Sequence, residues 1–247
     1  MNKGKKVGVY ACTEHEYSIA TEKTPGANPI DLLEVPDDIS NLKEQSDYVI
    51  VLYHGGKEHY RYPSPKLQKV CRKLVEKGAD LVICQHSHCI GCEEKYLQGT
   101  IVYGQGNFLF DHSDSECWKT SLLISINDDE TIEYIPLVKK GHTVRLADRL
   151  EKDKIMTSFR SRNEEIKKQG FIEKKYLDYS KQMSGYYFMT VSGMGDNLLL
   201  RFINRISGDR FFDWYLNKRY TPKRRIQIEN IIECEAHAEL FLNVLKQ

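Results

Sequence analysis

The chain has no long hydrophobic run. No window among its 247 residues comes near the roughly 18 apolar residues that a membrane-spanning helix needs. The basic start Met1-Asn2-Lys3-Gly4-Lys5-Lys6 is followed only by the apolar stretch Val7 to Cys12. Glu14 interrupts it at once, so it is too short for the core of a signal peptide. A chain used as written is expected in the cytoplasm. Surplus charge is also lacking: 36 Lys and Arg stand against 35 Asp and Glu, a net of +1. Whole-chain charge therefore gives no reason to expect a nucleic-acid partner. The seven cysteines are odd in number and follow no secretory signal, which favours reduced thiols over a disulfide framework. Only one Cys-x-x-Cys pair exists, Cys89 and Cys92. A zinc cluster could use it only together with His86 and His88. Internal repeats and low-complexity tracts are absent.

What is there centres on Ser46 to Asp111. Asp47-Tyr48-Val49-Ile50-Val51-Leu52-Tyr53 is apolar after its first residue, as in a strand buried on both faces, and it ends on His54-Gly55-Gly56. Ser64 is a good helix N-cap and Pro65 suits the first helical position. Leu67, Val70, Cys71, Leu74 and Val75 then recur at helical spacing, and Gly78 closes the helix. Ala79 to Cys84 forms the next strand and ends on Gln85-His86-Ser87-His88. A strand, helix and strand in this order predict a right-handed crossover with parallel strands. Such sheets gather ligands beyond the carboxyl ends of their strands. Imidazole is the commonest side-chain metal ligand, so His54, His86 and His88 are the candidate metal ligands.

The flanks are less regular. Val7 to Cys12 reads as a short strand, and residues 13–45, punctuated by Pro25, Pro29 and Pro36, read as loop with one helical turn near Asp31-Leu32-Leu33. Hairpins are expected at residues 91–103 and around Asn127-Asp128-Asp129-Glu130. From Arg145 onward charged residues dominate, apolar residues recur at four-residue steps (Ile155, Phe159), and Thr221-Pro222 opens a final helix. The reading is a first domain over 1–144 and a mostly helical region over 145–247. Between Arg201 and Arg225 basic residues interleave with Phe202, Phe211, Phe212, Trp214 and Tyr215, a pattern compatible with an anionic membrane surface or with a solvated helix over an aromatic stripe.

An ordered string of motifs resembles the CapA family of capsule and poly-γ-glutamate synthesis proteins. It runs His54-Gly55-Gly56-Lys57-Glu58, Tyr62-Pro63-Ser64-Pro65, Gly78-Ala79-Asp80-Leu81-Val82-Ile83, His86-Ser87-His88 and Tyr103-Gly104-Gln105-Gly106-Asn107-Phe108-Leu109-Phe110-Asp111. The resemblance covers about residues 7 to 140. It implies an α/β fold, part of a metallophosphoesterase-like β-sandwich flanked by helices, and a site that holds divalent metal (Mn, Zn or Fe). By the same resemblance His54, His86 and His88 are ligands, Glu58 is a base or supporting partner, Asn107 assists, and Asp111 and Gln85 face substrate. Two positions depart from the family: Gln85 stands where histidine is frequent, and Gly55 where tryptophan is frequent.

Family members also carry an early Asp motif and an Asn-His motif, and neither occurs before residue 54. Two-metal hydrolysis needs carboxylates to hold and bridge the ions. Read literally, the sequence offers half a site, so weak metal affinity and little hydrolase activity are expected unless a second polypeptide supplies the rest. The implied function is metal-dependent hydrolysis or transfer on a cell-surface polymer or its precursor. The alternative is a non-catalytic, partnered binding module. Uncovered strand faces in such a partial domain are expected to drive oligomerisation.

Overall fold

The computed structural model describes residues 4–15, 18–110, 115–194, 197–208 and 210–246. Strands β1 (Val7–Thr13), β2 (Tyr48–His54), β3 (Leu81–Gln85), β4 (Glu93–Tyr96) and β5 (Gly99–Val102) form one sheet in the order β1-β2-β3-β5-β4. All are parallel except β4, which pairs antiparallel with β5 in the expected hairpin. Strands β6 (Thr120–Ile126), β7 (Ile132–Lys140) and β8 (Thr143–Leu146) make a second, antiparallel sheet.

The first sheet is covered on both faces. Helices α1 (Val35–Glu44) and α2 (Pro65–Glu76) lie on one, where Val35, Ile39, Leu67, Leu74 and Val75 pack with Val49, Val51 and Val82 in the main core. On the other face Tyr48, Leu81, Ile83 and Val102 meet Ile124, Ile126, Ile132 and Tyr134 of the second sheet. This helix–sheet–sheet layering is the β-sandwich flanked by helices that the motif string implies. The crossover is built as its sequence predicts. Ser64 Oγ accepts the Leu67 amide at 3.0 Å, Gly78 has φ +115°, and Ile50 pairs in parallel with Leu81.

Two expectations need correction. Residues 35–44 are a helix, not loop: Val35, Ile39 and Leu42 share one face and bury it against the sheet, while Pro36 occupies the first turn, where its missing N–H costs nothing. The final helix is two, α8 (Pro222–Glu233) and α9 (Glu235–Leu245), because Cys234 takes extended backbone between them.

The chain divides into two compact units, Met1–Tyr176 and Leu177–Gln247, with the boundary inside α5 (Phe171–Ser192). The short α3 (Glu116–Lys119) and α4 (Arg149–Glu165) belong to the first. Asp148 and Glu151 close a capping box at the start of α4, and its Ile155 and Phe159 pack with Ile90 and Leu122. In the second unit Asn204 of α6 (Leu198–Ile206) is buried and accepts the Phe212 amide of α7 (Arg210–Arg219) at 2.9 Å. With Asn204 inside, Leu198, Leu199, Phe202 and Ile206 are all exposed. No described helix is long and apolar enough to cross a membrane.

Candidate functional site

Three parallel strands deliver the site at their carboxyl ends. β2 ends on His54, β3 on Gln85 followed by His86 and His88, and the turn after β5 brings Asn107. His54 and His86 stand with ring centroids 4.8 Å apart, and His86 Nδ1 lies 3.1 Å from His54 Nε2. One ligand atom from each of Glu58, His86 and His88 lies within 4.8 Å of the other two. Among the described residues this is the one His/Cys/Asp/Glu group close enough to share an ion.

The backbone that aims these side chains is unusual. His59, His86 and His88 have φ of +59°, +82° and +55°. Side chains other than glycine rarely adopt this left-handed region, and such residues collect at functional sites because surrounding structure must hold them. Part of that support is Gly104, at φ +126°. A Cβ there would sit 2.6 Å from Ser87 Oγ and 2.7 Å from the Cys89 carbonyl, so a side chain would displace the His88 turn.

His88 is the most constrained member. Its Nδ1 lies 2.9 Å from Asn107 Oδ1, while Asn107 Nδ2 is 3.5 Å from the His88 carbonyl. Asn107 Oδ1 can only accept, so Nδ1 carries the proton and Nε2 keeps its lone pair. Nε2 is 3.9 Å from Glu58 Oε1. The ring lies against both Trp118, at 4.7 Å, and Phe110, at 5.3 Å, which are themselves 5.2 Å apart, so the three rings form one cluster. This is how a metal-ligating histidine is held, by a second hydrogen bond that fixes tautomer and ring plane. The donor set, one carboxylate and imidazole nitrogens, suits a divalent transition ion. Glu58, His86 and His88 would hold it, with His54 beside His86.

Gln85 pairs across the sheet with His54, and both line a cavity of about 570 Å³ with Cys12, Thr13, Ser18 and Asn28. Glu14 follows Thr13 at the end of β1. Its carboxylate accepts the Gly56 amide at 3.2 Å and the Tyr53 hydroxyl at 3.4 Å, pinning the turn after His54. A Cβ on Gly55 would lie 3.0 Å from the Glu14 carboxyl carbon, so the glycine and the glutamate fit together. Asp111 lies outside the described residues. Cys89 and Cys92 are buried and join no ion-sized cluster; burial pushes the Cys92 thiol up. Motif reading missed Trp118 and Glu14. Trp118 carried no signal, since it reaches His88 from a short helix of its own. Glu14 was visible only as a carboxylate just beyond a strand end.

A parallel sheet that ends in this histidine cluster, with the Gly-Asn turn beside it, defines the class. Residues 1–112 match the family model described as bacterial capsule synthesis protein PGA_cap, so this part of the chain is similar to that family. Two relatives align with it. The "Capsule biosynthesis protein CapA" of Bacillus anthracis is 29% identical over 146 residues, 56% of this chain and 36% of that protein. The "PGA biosynthesis protein CapA" of Bacillus subtilis (strain 168) is 34% identical over 92 residues, 37% of this chain and 24% of that protein. The chain thus spans about a third or less of the curated relatives it matches. A solved structure described as a 5′-nucleotidase from Staphylococcus aureus in complex with alpha-ketoglutarate covers 64% of this chain and 32% of its own. Its identity is 16% and its TM-score 0.34, too low to assign a shared fold.

Proposed function

We propose that the chain serves the biosynthesis of capsule, poly-γ-glutamate or a related cell-surface polymer through a divalent-metal site formed by Glu58, His86 and His88, with His54 adjoining. The observation that carries this reading is the convergence of these donors within 4.8 Å while Asn107 fixes the His88 tautomer. When bound, a divalent ion supplies Lewis acidity and a nucleophile at neutral pH. The chain's own residues do the rest. Asn107 orients His88, Trp118 and Phe110 shield its ring from water, and Gln85 presents an amide to the cavity beside His54. Glu58 can take up a proton at its carboxylate when it is not ligating.

The test is equilibrium dialysis of the full chain against Mn, Zn and Fe salts followed by elemental analysis, with His88→Ala in parallel. Stoichiometric retention that is lost in the variant supports the site; equal retention by both refutes it. A second reading, a partnered module without catalysis of its own, is favoured by the acid count. Among the described residues Glu58 is the sole carboxylate in the cluster, and that of Glu14 is occupied by Gly56 and Tyr53. One carboxylate neutralises two divalent ions poorly. Turnover of a generic phosphodiester by the metal-loaded chain alone would reject the second reading.

A further inference from the structure

Behind the histidine loops lies a cavity of about 430 Å³, lined in part by Arg61, Glu116, Glu151, Lys154, Ser158 and Arg162. Arg61 follows Glu58 on the same loop, but the cavity's floor belongs to α4, and no member of the metal cluster lines it. Arg162 is only 6% exposed, and its guanidinium donates to two neutral oxygens, the Gly91 carbonyl and Ser158 Oγ, each at 2.6 Å. It makes no ion pair with a described carboxylate. A buried cation in that state is costly, because desolvation is not offset by an opposite charge. Burial and the field of Arg61 both push its pKa down.

The acids nearby are already engaged. Glu116 pairs with Arg61, and Glu151 binds Arg145 through both oxygens at 2.7 Å while capping α4. Lys154, exposed at the rim, likewise pairs with no described carboxylate. The cavity therefore holds two uncompensated cations and a hydroxyl, all on one face of α4, where residues 154, 158 and 162 recur at four-residue steps.

We propose that this cavity is an oxyanion-binding site: Arg162, Lys154 and Ser158 receive the carboxylate or phosphate group of an acidic ligand. A guanidinium whose plane is already fixed by two hydrogen bonds presents its remaining N–H groups in a set direction, which favours a two-oxygen acceptor. The ligand returns the missing negative charge to a cation the fold has already desolvated. The site is separate from the histidine cluster and does not need metal.

Calorimetric titration of the full chain, with chelator present so that the histidine site stays silent, tests this with two probes, inorganic phosphate and glutarate. Saturable binding of either in the millimolar range or tighter is expected. Saturation by glutarate alone identifies a carboxylate ligand, and by phosphate alone a phosphorylated one. Arg162→Gln should weaken binding by about tenfold or more, the loss of a charge-assisted hydrogen bond. Because Arg162 also holds the Gly91 carbonyl, Lys154→Gln serves as the second variant. Its side chain is exposed and bears no internal bond, so its melting temperature should not move while affinity falls severalfold. Saturation by neither probe, or wild-type affinity in Lys154→Gln, overturns the assignment.

Discussion

Asn107 decides which nitrogen of His88 is available. Its Oδ1 accepts the Nδ1 proton, and Trp118 and Phe110 keep the ring in one plane, so the imidazole reaches its task in a single tautomer. Asn107→Ala should leave the fold intact and lower metal affinity by about 10–100-fold, read by competition with a metal-binding dye. Unchanged affinity would make Asn107 a turn residue and nothing more. Cys117 is a second residue whose surroundings set its chemistry. A hydrogen bond with Cys89 and the nearby Arg61, with Nη2 3.3 Å from Sγ, bring its pKa down to about 6. Only thiolate is alkylated. A depressed value means that Cys117 reacts at a nearly constant rate above neutral pH and loses reactivity as pH falls through about 6. Mass-spectrometric mapping of iodoacetamide labelling against pH checks this; a rate still climbing from pH 7 to 9 would mark an ordinary thiol.

At the scale of elements, α6 stands out because its burial is inverted. The polar Asn204 is inside, five apolar residues (Leu198, Leu199, Phe202, Ile203 and Ile206) are at least 38% exposed, and Arg201 and Arg205 flank them. Apolar contact framed by cations is the composition of an interfacial helix. The full chain should sediment with vesicles containing anionic lipid at low salt and release at moderate salt, and Phe202→Glu should abolish the association. Binding equal to that of neutral vesicles would rule this out. The sequence displayed this basic and aromatic stretch but not which side faced out, since that side is set by how α6 packs on α7, with Asn204 turned in toward the Phe212 amide. The β2–α2–β3 unit was legible throughout because capping, apolar period and closing glycine agree locally. α1 was not: three prolines over residues 25–36 read as breaks, and the Val35–Ile39–Leu42 face gains meaning only once a sheet exists to receive it. In the site, the histidines were legible from their places at strand ends and Asn107 only from the resemblance to the family's motif, whereas the Trp118 contact and the Arg162 cavity join segments far apart in sequence, which no local pattern encodes.

For the whole molecule, the two sheets do not cover one another evenly. Residues from β2, β3 and β5 meet the second sheet, but β1 at the edge carries no residue in that contact, and Val7 and Val9 remain 38% and 57% exposed. The outer edge of their strand is paired only at its carboxyl end, where Thr13 bridges Pro29 and the Ala11 carbonyl accepts Asn28 Nδ2 at 3.0 Å; beside Val7 and Val9 no further strand of the sheet lies among the described residues. An apolar edge left open over half its length is a template for association with another strand. Two exposed surfaces could then drive oligomers, the β1 edge and the outward face of α6, and they separate by substitution. Sedimentation velocity should show the chain above monomer mass across the micromolar range. Val9→Lys places a charge on the strand face and should return it to monomer, whereas Phe202→Glu should not. A wild-type chain that runs as a monomer would mean that the β1 edge is adequately protected by its own solvation. Rescue by Phe202→Glu instead would transfer the association to the helical unit and leave the sheet edge inert.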